Sequence, residues 1–136
     1  MGQLKIARDR VIQALRTEPL RPGRFFHINN DTSAQDCQVC AVGAVLRQHA
    51  SAALLARFDN YGDLHTTRIT QTFCKGSAVC SDPGELIKQK NYMGALSSYF
   101  EKIMRAKKQE HVTGQVIDLL IKFVKKNFPA QFTVRY

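Results

Sequence analysis

The sequence predicts an α+β fold: a single compact domain over residues 1–136, mostly helical, with two or three short strands. Three observations carry that expectation. Apolar residues recur at helical spacing near the start of the chain and through its last third. Turn-forming clusters such as Arg21-Pro22-Gly23 and Asp59-Asn60-Tyr61-Gly62-Asp63 break the chain between those stretches. Short runs rich in aromatic or β-branched residues stand among them.

Taken in order, Gln3 to Thr17 reads as a helix, with Leu4, Ala7, Val11, Ala14 and Leu15 on one face. Pro19 and the Arg21-Pro22-Gly23 turn end it. Arg24 to Ile28 is short and aromatic, as a strand would be, and Asn29 to Thr32 reads as a loop. Ser33 and Asp36 have capping-box spacing, so a helix is expected from about Ala34 to His49. It would carry Cys37, Cys40, Ala41, Ala44 and Val45 on one face, and Gly43 keeps that surface small enough for close approach. A second helical piece would run from Ser51 to Phe58, and the Thr-rich Leu64 to Phe73 suits a strand.

Asp82-Pro83-Gly84-Glu85 is a helix start: Asp as cap, Pro first, Glu third. From there Tyr92, Leu96, Tyr99, Phe100, Ile103 and Met104 form a helical stripe ending near Lys107. Thr113 opens another helix, buried through Val116, Ile117, Leu120, Phe123 and Val124 and stopped before Pro129. The alternating Gln131 to Tyr136 reads as an edge strand.

Composition narrows the function classes. Hydrophobic content of 44% and charged content of 23% are those of a globular chain, and 136 residues can bury a core without disulfides. No apolar stretch approaches the roughly 20 residues of a membrane helix. The first ten residues lack a signal-peptide core, and Ile6 replaces the Ser or Thr of a myristoylation site. The expected location is therefore the cytoplasm, where four cysteines stay reduced unless they bind metal. The formal charge is +9; residues 69–136 carry eleven Lys/Arg against five Asp/Glu, residues 1–68 nine against six. That excess favours acidic partners, either nucleic acid or an acidic protein surface.

Cys37-x-x-Cys40 is the sharpest chemical signal, and Cys74 and Cys80 complete a set of four. Thiolates in pairs hold zinc tetrahedrally. Here thirty-three residues separate a C-x2-C pair from a C-x5-C pair, whereas a zinc ribbon has two C-x2-C pairs about 15–20 residues apart. A redox dithiol would profit from a helix N-terminus, but Asp36 opposes thiolate formation and no apolar strand leads into the motif. A cysteine nucleophile would need a base such as His27 or His65, with no thiol-protease signature around it. The apolar run after Cys40 favours plain packing of Cys37 and Cys40 in the core. No cofactor is expected; if the four cysteines Cys37, Cys40, Cys74 and Cys80 bind a metal, the expectation is zinc.

The candidate partner-binding residues are cationic. Lys102, Arg105, Lys107 and Lys108 lie at the end of one helix, Lys122, Lys125 and Lys126 near the end of the next. Cations there also complement the negative helix terminus. If the helices pack antiparallel, the clusters fall at opposite ends, which argues against one deep nucleic-acid groove. Tyr61, Tyr92 and Tyr99 are not interleaved with Lys or Arg, and no helix-turn-helix, finger or RNP signature is present. Nonspecific phosphate affinity is compatible with the charge; sequence reading is not.

The run Cys40-Ala-Val-Gly-Ala-Val-Leu46 resembles a C-x-x-G-A motif of small phage-borne and mobile-element proteins of unknown function. Met93-Gly-Ala-Leu-Ser-Ser-Tyr-Phe-Glu101 and Phe123-Val-Lys-Lys-Asn-Phe-Pro129 resemble such accessory proteins as well. The resemblance implies a bacterial or phage cytoplasm and no catalytic residues. Small proteins in that setting often bind and block a host defence machine, a CRISPR effector being one example. The expectation is thus a non-enzymatic binding module that meets a bacterial protein or ribonucleoprotein by occupying a phosphate-binding or acidic surface. The rival expectation is a zinc- or thiol-dependent protein centred on Cys37 and Cys40.

Overall fold

The first and last elements of the chain pair with each other. A computed structural model describes residues 3–21, 26–27, 38–39, 41–51, 82–108 and 111–135. In it β1 (Gln3–Ala7) lies antiparallel to β4 (Gln131–Arg135). The register sets Leu4 opposite Val134 and Ile6 opposite Phe132, and both pairs contribute to the core, whereas Lys5 and Thr133 are exposed. That alternation is the period of a strand. It corrects the expectation of one helix over Gln3 to Thr17: α1 spans only Arg8–Thr17. Leu4 and Ala7 fit a helical stripe, but Ile6 falls off it. Pairing with a strand more than a hundred residues away decides the outcome, and no local window contains that strand.

β1 runs into α1 without a loop. Ala7 supplies no side-chain cap; instead the Arg8 N–H donates to the Ala130 carbonyl at 2.9 Å. One of the orphan donors at the helix start is thereby satisfied from the other end of the chain. The Arg8 guanidinium adds a bond to the Phe128 carbonyl at 3.3 Å.

β2 (Phe26–His27), inside the expected Arg24 to Ile28 strand, pairs antiparallel with β3 (Gln38–Val39). The latter corrects the helix expected from Ala34, since the backbone is extended at 38–39 and α2 begins only at Ala41 (Ala41–His49). The Ser33/Asp36 capping signal itself lies outside the described residues. Ala41 to Leu46 are all buried, the mark of a helix surrounded by protein. The loop at 29–32, the helical piece expected beyond Ser51 and the strand expected over Leu64 to Phe73 lie outside the described residues.

Asp82 caps α3 (Pro83–Lys88) as expected, accepting from the Glu85 N–H at 3.1 Å. The helix does not continue into the Tyr92 stripe. Lys90 takes a left-handed conformation (φ 60°), its N–H donates to Ile87, and the Asn91 N–H donates to Leu86. Those two bonds form a Schellman motif, the usual way a helix is stopped. Asn91 then starts α4 (Tyr92–Lys107) by accepting the Gly94 N–H at 3.0 Å. The last helix, α5 (Gly114–Asn127), is capped by Thr113, which accepts from Val116.

Four helices close a ring: α1 packs on α2 and α5, and α4 packs on the same two. Inside it Leu15, Leu46, Leu96, Phe100 and Leu120 are wholly or almost wholly buried. Each such side chain contributes about 1.5–3 kcal/mol of transfer free energy. The β1–β4 ribbon closes one side, where Phe128 and Phe132 meet edge-on with centroids 5.4 Å apart and Tyr92 touches both. The expected mostly helical α+β architecture is what the chain forms.

Candidate functional site

The aromatic contacts fix how the two basic helix ends lie. Tyr99 stacks on Phe123, and Tyr92 meets Phe128 at 5.3 Å. Residues early in α4 therefore sit beside residues late in α5, so the two helices are antiparallel. The C-terminal cations of α4 and those of α5 accordingly fall at opposite ends of the pair, and no single patch gathers all seven.

The two clusters differ at one member. Lys102 is held 3.8 Å from Asp82, the cap of α3, with both side chains about half exposed or more. Arg105, Lys107 and Lys108 are exposed at the last turn of α4, where they compensate the negative helix end. Lys122, Lys125 and Lys126 are exposed on α5, and among the described residues no carboxylate lies within ion-pair distance of them. Asp118, one turn before Lys122, is the acidic residue of that helix. Lys125 and Lys126 stand in the last turn of α5 as Arg105 and Lys107 do in α4, so both helix ends carry exposed cations, and of the seven only Lys102 has an ion-pair partner among the described residues.

Lys125 also overhangs an open groove of about 470 Å³ between α1 and α5. Its other lining residues, Asp9, Ile12, Gln13, Arg16 and Thr17, all come from α1. Ile12 is buried and forms an apolar floor, and the remaining α1 side chains are exposed. The Thr17 hydroxyl donates to the Gln13 carbonyl at 2.9 Å, which fixes its orientation along the wall. Arg16 is absent from the sequence-derived site residues, because locally it is one more polar residue off the apolar stripe of its helix. Its partner across the groove lies more than a hundred positions away.

A second polar cluster ties α1 to α2. Glu18 accepts from Arg47 at 3.2 Å and from Gln48 at 3.1 Å, with its side chain only 11% exposed. Next to them His49 places Nδ1 2.9 Å from the Val45 carbonyl. A carbonyl only accepts, so Nδ1 carries the proton. The Nε2 atom is buried and has no hydrogen-bond partner among the described residues.

Cys37, Cys40, Cys74, Cys80 and His65 lie outside the described residues, and His27 is described only as part of β2. Among the described residues no group of three or more His, Cys, Asp or Glu side chains could hold a metal ion. Likewise, no described helix is long and apolar enough to cross a membrane.

The class these features define is a mostly helical α+β protein with a lysine-rich helix end beside a groove of mixed charge. No family model, no curated protein and no solved structure matches the chain.

Proposed function

We propose that the protein is a small non-enzymatic binding module that engages an acidic protein or ribonucleoprotein surface through the end of α5. The observation that carries this reading is the exposed group Lys122, Lys125 and Lys126, which has no ion-pair partner among the described residues. Like charges within little more than one helical turn repel one another, and an acidic surface relieves that repulsion on contact. The resemblance to phage-borne proteins points to a bacterial defence complex, such as a CRISPR effector, as the target. A site that normally holds phosphates is itself cationic and would repel these lysines. The charge therefore favours acidic side chains or bound RNA phosphates on the target over an empty phosphate site.

The test is a pull-down from bacterial lysate, with and without nuclease, comparing the native chain with Lys122→Glu/Lys125→Glu/Lys126→Glu. The native chain is expected to retain a nuclease-resistant protein that the triple variant loses while its circular dichroism stays unchanged. Equal retention by a folded triple variant overturns the assignment of the surface. Recovery of nucleic acid alone overturns the protein target.

A further inference from the structure

The lysines at the end of α5 account for long-range attraction. The groove beside them adds a place where one of them, Lys125, faces a second cation over an apolar surface. It is an open depression of about 470 Å³, a surface site for one side chain and not an enclosing cleft. It has an apolar floor in Ile12, a guanidinium on one wall in Arg16 and an ammonium on the other in Lys125. From these we infer that the groove between α1 and α5 anchors an aspartate or glutamate side chain of a protein partner. The carboxylate sits between Arg16 and Lys125 and its carbon stem lies on Ile12.

Asp9 decides between a polypeptide and a nucleic acid as occupant. It lines the same groove, and a phosphodiester strand running along the cleft would bring a phosphate against its carboxylate. A polypeptide alternates acceptors with N–H donors, so a backbone N–H next to the anchored side chain meets Asp9 while the carboxylate meets the two cations. Thr17 suits the same occupant. Its proton is spent on Gln13, which leaves oxygen lone pairs to accept a further N–H. The cations themselves are unencumbered, because among the described residues neither Arg16 nor Lys125 has an ion-pair partner.

This inference deepens the reading of α5 as the partner-facing helix and rests on it for the location of the partner, but its test needs no partner. The native chain, labelled with ¹⁵N, is titrated with a blocked extended peptide of alternating glutamate and leucine, and separately with a short oligothymidylate. The peptide is expected to give saturable shifts at Ile12, Gln13, Arg16, Thr17 and Lys125. Arg16→Ala and Lys125→Ala, both at exposed positions where the fold is insensitive to truncation, each weaken that binding at least tenfold. Absence of saturable shifts at these five residues overturns the proposal. So does an oligothymidylate that perturbs the same five and displaces the peptide. A pull-down that retains a protein beside a silent groove sinks the groove alone, whereas a binding groove beside an empty pull-down sinks the α5 partner reading alone.

Discussion

Tyr99 of α4 and Phe123 of α5 stack with ring centroids 4.2 Å apart and planes inclined by only 11°. Both rings are half-buried, and Phe123 also meets Phe128 edge-on at 6.2 Å. The stack sits at the outer seam of the antiparallel pair and sets the register in which α4 lies against α5. Truncating either residue to alanine should cost about 2 kcal/mol, below the 3–5 of a fully buried aromatic because both are partly solvated. The double variant should cost less than the sum, with a coupling of about 1 kcal/mol from the ring contact itself. Urea denaturation of the four-member cycle measures it, and additive losses would show that the stack carries no energy of its own.

Phe132 is where the ribbon joins the helices. It lies opposite Ile6, touches Tyr92 at 5.1 Å and meets Phe128 edge-on. Phe132→Ala removes a ring that is 8% exposed and leaves a hole lined by Tyr92 and Phe128. A loss of about 3–4 kcal/mol is expected. Thermal unfolding followed by near-ultraviolet circular dichroism should report it, since the same aromatic environment collapses. A loss below about 1 kcal/mol would mean that the ribbon is not integral to the core.

Gly94 stands where a side chain would strike the cap of its own helix. A Cβ there would come within 2.6 Å of Asn91 Nδ2 and 2.8 Å of Asn91 Oδ1. Asn91 is 8% exposed, so its side chain has little room to retreat. Gly94→Ala gains up to about 1 kcal/mol of helix propensity, but it displaces a cap worth about as much and strains a buried group. The net effect should be destabilising. In an Asn91→Ala background those nearest contacts and the cap are both absent, and Gly94→Ala should cost clearly less. That reduction is the outcome to look for in denaturant midpoints; an equal cost in both backgrounds would remove Asn91 as the cause.

What the sequence made legible were the devices held within a few residues. The Asp82-Pro83 start, the Thr113 cap and the Pro129 stop all stand where local chemistry put them. The break between α3 and α4 was hidden because its left-handed residue is Lys90, where glycine usually advertises such a stop. β1 was hidden for a different reason, since Leu4 and Ile6 become a strand only once Val134 and Phe132 lie opposite them. The site shows the same division. The α5 lysines are adjacent in sequence and were visible, while Arg16 and Lys125 meet only through the packing of α1 on α5.

Glu18 illustrates a contact of that second kind. It closes α1 with a negative charge beside a negative helix end, an arrangement that helix electrostatics alone disfavours. Arg47 and Gln48 of α2 reverse the balance by donating one to each carboxylate oxygen. Glu18→Ala should therefore destabilise by about 1.5–3 kcal/mol, the range of hydrogen bonds to charged groups. Glu18→Gln, which keeps an acceptor for one donor, should lose less. With the Glu18 side chain 11% and that of Arg47 24% exposed, the effect should persist in 1 M salt, unlike that of a surface pair. Measuring both variants at low and high salt checks this, and a loss that disappears at high salt would mark the contact as superficial.

The two basic clusters can be separated at Lys108. It ends α4 in the left-handed region (φ 49°, ψ 40°), where a side chain is strained and glycine is not. Its N–H closes the helix onto the Arg105 carbonyl through the backbone, so the cap survives any change of side chain. Lys108→Gly should raise stability by about 0.5–1 kcal/mol, the relief of strain exceeding the entropy that glycine adds to the unfolded chain. It also deletes a cation from the α4 end while leaving Lys122, Lys125 and Lys126 untouched. If partner contact belongs to the α5 end, the variant should melt higher and retain in the lysate pull-down whatever the native chain retains. A Lys108→Gly protein that is more stable yet loses its partner would move the contact surface to the opposite end of the helix pair.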